Sequence, residues 1–406
     1  MRIHAFNAWR PRADIAGQVA STPYDTVDTA EALALVEGNP MSFLHINRPE
    51  IDLPEGTDLY SDPVYAKAAE KFKAFQEKGW IVKEDRPLVY LYAQTMGDHT
   101  QTGLVCCAHI DDYINDVIKK HEFTRKDKED DRTKHTATIN GQIGPVFIAY
   151  RDVQAINDFL NPIAAGEPIY DFVAEDDVRH QVWLIEDTAT VEKLFKGVPV
   201  SYIADGHHRS ASAVRVGSER REANPNHTGD EEYNWFLSVI FPASQLKILP
   251  YNRAVQDLNG LSEEDFLAKV KEQFTVTENP DLSPTATRNI SMYLGGQWYG
   301  LSWPEVESDN PVEKLDVSTL QNRILTPLLA IDDPRTSNRI KFVGGIRGPE
   351  ELSRLVDDKG FAVGFSMYPT TIDQLMSIAD AGQTMPPKST WFEPKLRTGL
   401  LSHSLD

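Results

Sequence analysis

With 406 residues, 41% of them hydrophobic and seven of them tryptophan, the chain is long enough for two or three domains with sizeable cores, at roughly 100–200 residues each. Its 61 acidic against 41 basic side chains leave a net charge of −20, which excludes broad nucleic-acid binding but leaves room for a local basic pocket that takes a small anion. The only cysteines, Cys106 and Cys107, are neighbours without metal-ligand spacing, residues 1–14 contain no apolar signal core, and no run approaches about 18 apolar residues. Disulfides, a structural zinc and a membrane partner are therefore not expected, and a cytoplasmic protein is.

In chain order, Pro11, Pro23, Pro40 and Pro49 break the first ~50 residues into irregular segments of the kind that line a site. Inside them FLHINR (43–48) reads as a strand, with His45 and Asn47 on one face and Arg48 on the other. Ser61-Asp-Pro63 opens a helix whose apolar face is Tyr65, Ala68, Phe72 and Phe75, and Gly79 stops it. Residues 88–96 and 103–110 predict a hairpin around Gly97-Asp98. The charged run 121–135 reads as a solvated helix or loop. Strands follow at 146–150 and 178–185, then a helix at 189–195.

Residues 198–204 (VPVSYIA) read as a buried strand and 210–216 (SASAVRV) as the start of a helix. Between them lies Asp205-Gly-His-His-Arg209. Backbone N–H groups at a helix start attract anions, Arg209 adds a forked cation suited to phosphate oxygens, and His207 or His208 can exchange protons near neutral pH. The alternative is a plain cap, with Asp205 accepting N–H bonds, Gly206 easing the turn and both histidines on the surface. Adjacent histidines on one helical turn point about 100° apart, so His207 and His208 do not suit joint chelation.

Further on, residues 234–242 and 248–253 predict strands, 263–273 a helix, and 291–303 a hairpin around Gly295-Gly296. The tail alternates strand 340–344, helix 349–358, strand 361–368 and helix 371–381, which makes the fold class mixed α/β. No P-loop, G-x-G-x-x-G turn, G-x-S-x-G elbow or H-E-x-x-H pair is present.

The segments STPYDTV (21–27), GNPMSFLHINRPEIDLP (38–54), KKHEFTRKDKEDDR (119–132), ADGHHR (204–209) and MPPKSTWFEPKL (385–396), in this order, resemble the bacterial domain-of-unknown-function family 1015 over essentially the whole chain. The D-G-H-H-R turn is locally similar to that of the ParB/sulfiredoxin superfamily, which includes free-serine kinases. This resemblance implies a ParB/sulfiredoxin-like phosphate-binding domain at 1–255 and a second α/β domain at 256–406 that carries the K-S-T-W-F-x-P-K tail. It implies serine phosphorylation with pyrophosphate, ADP or ATP as donor and Mg²⁺ as cofactor, with Asp205, His207 and His208 catalytic and Gly206 and Arg209 on the phosphate. It also implies a base in the N-terminal part, for which Asp25 and Glu50 both stand as candidates.

In that setting His45, Arg48, His121, Arg125 and Arg132 are candidate phosphate or substrate contacts, and Glu122 or Glu129 could take Mg²⁺ or a substrate ammonium. Lys388, Ser389, Thr390 and Lys395 could complete a pyrophosphate pocket from a Pro-rich extended segment, with Trp391 and Phe392 anchoring the tail. The competing functions are a ParB-like nucleotide-binding regulator and a phosphohydrolase. The partner is a small molecule rather than nucleic acid, and the oligomeric state stays open, a homodimer included.

Overall fold

The computed structural model describes all 406 residues, Met1–Asp406. They form two compact units, Met1–Leu246 with Pro394–Asp406, and Lys247–Glu393. The mixed α/β class holds, but the division differs from 1–255 and 256–406: the second unit begins at Lys247, and the last segment returns to the first. That return rests on long-range pairing. Ser21 and Thr398 exchange backbone hydrogen bonds, Trp9 exchanges them with Ser402, and His403 registers with Gln142 in a two-stranded sheet.

The first unit is built on a nine-stranded sheet. Along it lie Ile118–Lys119, Ser201–Asp205, Val146–Tyr150, Trp235–Pro242, His99–His109, Val89–Met96, Arg179–Ile185 and Tyr170–Val173, with Ile3–His4 paired to His99–His109. Two pairings are parallel, Ser201–Asp205 with Ile118–Lys119 and Trp235–Pro242 with Val146–Tyr150. All five residues of Val146–Tyr150 are buried, the uninterrupted apolar pattern of a central strand covered on both faces. Ile148, Tyr150, Ile203, Phe236 and Ile240 belong to its main core.

Helix Asp62–Glu77 forms as its spacing predicts. Ser61 is extended, Pro63 sits in the first turn, and Val64, Tyr65, Ala68, Phe72 and Phe75 are buried. Phe72 and Phe75 pack with Ile15, Val19, Phe43 and Ile81, and each buried aromatic contributes about 1.5–3 kcal/mol by leaving water. Gly79, at φ +65°, lets the chain turn away. No helix is long and apolar enough to cross a membrane.

FLHINR is not a strand. Leu44–Asn47 is a short helix followed by a 3₁₀ turn at Pro49–Asp52, so His45 and Asn47 do not share a face by alternation. Helix Thr29–Val36, in the segment expected to be irregular, begins with a capping box: the Asp28 side chain accepts from Glu31 N–H, and the Glu31 carboxylate accepts from Asp28 N–H.

The second unit carries an all-antiparallel six-stranded sheet, ordered Thr275–Glu278, Gln297–Ser302, Asn289–Leu294, Val363–Met367, Tyr251–Val255, Ile340–Gly344. Leu352 and Leu355 of helix Glu350–Lys359 pack with Ala254 and Val343.

Candidate functional site

Strand Ser201–Asp205 is buried over its first four residues, and its register shifts between Ile203 and Asp205. Gly206 then takes φ +92°, ψ 32°, and helix His207–Ala223 starts. A side chain at 206 would be strained by that backbone, and its Cβ would lie 3.1 Å from Arg209 Cζ and Nε. Glycine thus allows the guanidinium to fold back over the turn. The opening N–H groups of this helix have no intrahelical partners and, with the positive end of the helix dipole, make the turn receptive to an anion.

Arg209 is nearly buried. Its Nη1 donates to the Pro145 carbonyl and its Nη2 to Asp205 Oδ2 at 3.1 Å, while its buried Nε has no hydrogen-bond partner. Lys395 Nζ lies 3.6 Å from the same Asp205 oxygen. Burial by itself would raise the Asp205 pKa, but Lys395, Arg209, His207 and the Gly206 amide outweigh it and hold the carboxyl well below the usual range. Asp205 is ionised at neutral pH and is itself the counter-ion of two cations.

His207 and His208 diverge, as adjacent helical positions must. His207 turns inward and meets His121 edge to face, with centroids 4.5 Å apart, and its Nδ1 lies 3.8 Å from Glu122 Oε2. Burial first, and the neighbouring ring second, push the His207 pKa far down; burial pushes His121 down to about 4 against the opposing charge of Asp205. Both rings are neutral at pH 7. His208 faces the other way, and its Nε2 accepts the Arg125 N–H at 3.0 Å where helix Lys126–Ile139 begins. The Arg125 side chain is exposed and paired with Asp127, so the contact to the turn is made by its backbone.

Beside Arg209 opens a small cleft lined by Tyr24, Arg132, Gly144, Ser212 and Thr398 among others. The Arg132 guanidinium stands 4.0 Å from the centroid of the Tyr24 ring and pairs with Asp131 at 2.7 Å. Burial first, then the charge of Asp25, push the Tyr24 pKa up to about 12 against Arg132 and Arg209. Tyr24 and Thr398 were not singled out in the sequence. The only available signal was the adjacency of Tyr24 to Asp25, since Thr398 reaches the site from the far end of the chain.

Asp25 is exposed, and its charge acts on Tyr24, His208 and Arg209. Glu50 is buried 2.7 Å from Arg48 Nε, and Arg48 also donates to the Tyr24 carbonyl. His45 is engaged elsewhere, with Nδ1 2.7 Å from Asp52, which also pairs with Lys71. Glu129 is held by Thr124 and Arg215.

The two lysines of the C-terminal motif fall in different units. Lys395 belongs to the first, with Asp205, and Lys388 to the second, where its Nζ lies 5.3 Å from the Tyr251 ring centroid. Ser389 is buried there; its Oγ donates to the Pro386 carbonyl and its own carbonyl accepts from Thr370. Thr390 precedes strand Trp391–Glu393, in which Phe392 is buried, Trp391 packs 5.1 Å from Tyr251, and neither is set out as a free stacking surface.

The family described as Protein of unknown function (DUF1015) matches residues 3–318. No curated protein matches the sequence. Among solved structures, a free serine kinase in complex with AMP is 13% identical, over 71% of this chain and 86% of that chain, with a TM-score of 0.37. SbnI with C-terminal truncation from Staphylococcus aureus is 12% identical, over 72% and 84%, with a TM-score of 0.39. A conserved hypothetical protein from Pyrococcus furiosus is 13% identical, over 72% and 92%, with a TM-score of 0.36.

Proposed function

The chain belongs to the DUF1015 family, and we propose that it is a phosphotransferase acting on a small hydroxylated metabolite, L-serine first among candidates, through a ParB/sulfiredoxin-like phosphate-binding core. The donor, pyrophosphate, ADP or ATP, binds the turn from Gly206 to Arg209. The observation that carries this reading is the turn itself: a helix start, a buried guanidinium with its Nε unpartnered, and Lys395 converge on one ionised carboxylate. An incoming phosphate meets N–H donors and two cations, and phosphoryl transfer depends chiefly on such positioning and charge stabilisation.

Asp205 holds Arg209 and Lys395 beside the turn. Asp25 is assigned the role of base toward the acceptor hydroxyl, because its charge acts on residues of the turn while it remains exposed. His208, tied to the Arg125 amide, positions the segment that follows Glu122. Mg²⁺, expected to arrive on the phosphate oxygens of the donor, would offset their charge; Mg²⁺ usually binds through one or two carboxylates plus substrate phosphates, and no cage of oxygen ligands is formed at the turn. Mixing the protein with L-serine and each donor tests the reading: phosphoserine is the expected product, and free phosphate without phosphoserine would indicate a phosphohydrolase instead.

A further inference from the structure

We infer that His121, Glu122 and His207 form a binding site for a divalent first-row transition metal of the zinc class. Each offers one ligand atom, and the three atoms lie within 4.8 Å of one another. His121 is 2% exposed, yet neither ring nitrogen completes a hydrogen bond, although the Ile203 backbone lies close enough to favour an N–H directed at it. His207 is 6% exposed, and its Nε2 is likewise without a partner. Ring nitrogens left without partners on two abutting, buried imidazoles are costly.

A shared cation, bound through one nitrogen of each ring, relieves part of that cost. Zinc binds histidine nitrogen and carboxylate oxygen at about 2.0–2.2 Å, so ligand atoms around one ion stand closer together than those of the triad do here. The 3.8 Å from His207 Nδ1 to the half-exposed Glu122 Oε2 is a distance that a small side-chain rotation closes. Ile203 then supplies the backbone partner that commonly orients a metal-bound imidazole.

The donor set decides the class of ion. Two imidazoles and one carboxylate suit zinc, manganese, iron or cobalt, whereas Mg²⁺ demands oxygen ligands and dehydrates reluctantly. Three protein ligands leave at least one position open, as in catalytic rather than structural zinc sites. The triad adjoins Asp205, whose charge acts on both imidazoles, so a dication here sits next to the proposed phosphate turn.

Binding can be measured with no phosphoryl donor present, so failure of this site and failure of the transferase reading are distinguishable. The full-length protein, stripped with chelator and shown to be folded, is titrated with Co²⁺ as a visible probe and with Zn²⁺. One equivalent should bind, X-ray absorption of the zinc form should show two imidazoles, and a large excess of Mg²⁺ should not displace it. His121→Ala and His207→Ala should each weaken binding by roughly a hundredfold or more, at or beyond the upper end of what losing even an outer-shell partner does. His227→Ala, which removes a histidine paired with Glu231 elsewhere, should leave it unchanged. Absence of saturable binding, an all-oxygen shell in the wild-type protein, or full affinity in folded His121→Ala would each overturn the site. The absorption measurement needs no variant, so misfolding of either alanine form leaves the test intact.

Discussion

Asp25 and Glu50 carry the same functional group in opposite surroundings. Asp25 is exposed and acts electrostatically on Tyr24, His208 and Arg209; Glu50 is buried, 2.7 Å from Arg48 and accepting from Thr29 Oγ1 at 3.3 Å. A base must be free to take a proton from substrate, and an ion-paired carboxylate already committed to a guanidinium is poorly placed for that. Asp25→Asn should therefore lower kcat by about 100-fold or more, the usual contribution of general-base catalysis. Glu50→Gln should keep kcat within about tenfold but reduce stability by roughly 1–3 kcal/mol, since Arg48 loses its counter-ion. Steady-state rates and melting temperatures for the two variants check this, and the reverse pattern would exchange the roles. From the sequence the two stood level, because what separates them is a contact made in three dimensions.

At the scale of elements, helices His207–Ala223 and Lys126–Ile139 are coupled at their N-termini by His208 Nε2 and the Arg125 N–H. That imidazole does for the second helix what a side-chain cap does, and no side chain of its own segment performs the task. His208→Ala should cost about 0.5–2 kcal/mol, the range for losing a cap, and should speed hydrogen exchange at the start of Lys126–Ile139. Unchanged exchange there would show that the contact does not order the helix. Elements with long, regular patterns were legible in advance: the apolar face at Tyr65, Ala68, Phe72 and Phe75, the hairpin at Gly97-Asp98, and the strand–glycine–helix turn at Asp205. FLHINR departs from the strand expected of it because six residues cannot separate a short helix from a strand by periodicity. The Asp28/Glu31 capping box is a pattern visible in the sequence, though it lies among prolines that mask the helix it opens. The return of Pro394–Asp406 was not readable at all, since Ser21 and Thr398 meet across 377 positions of sequence.

Across the whole molecule, burial keeps several histidines neutral. The pKa of His109 and His121 is pushed down to about 4 and that of His135 and His180 to about 3, with desolvation the first cause in each case. An unfolded histidine titrates near 6.5. Their contribution is complete above that pH; as pH falls from about 6.5 toward 4 the unfolded chain takes up protons that the folded chain refuses, and stability drops. Histidine NMR of the folded protein should show these rings still neutral at pH 5, and rings protonated at pH 5 would contradict their buried neutral state. The net charge of −20 adds a second whole-molecule property: the cations at Asp205 form a local exception in an acidic field, which favours a small anion that can enter the cleft over an extended polyanion.

Phosphorus NMR of the wild-type protein with Mg²⁺ and L-serine, offering pyrophosphate, ADP or ATP in separate samples, tests the central claim most directly. A phosphoserine resonance should grow with one donor and be absent in folded Asp205→Asn, in which Arg209 and Lys395 lose their shared carboxylate. No phosphoserine from any donor with the folded wild-type protein, or undiminished transfer by Asp205→Asn, would contradict the account.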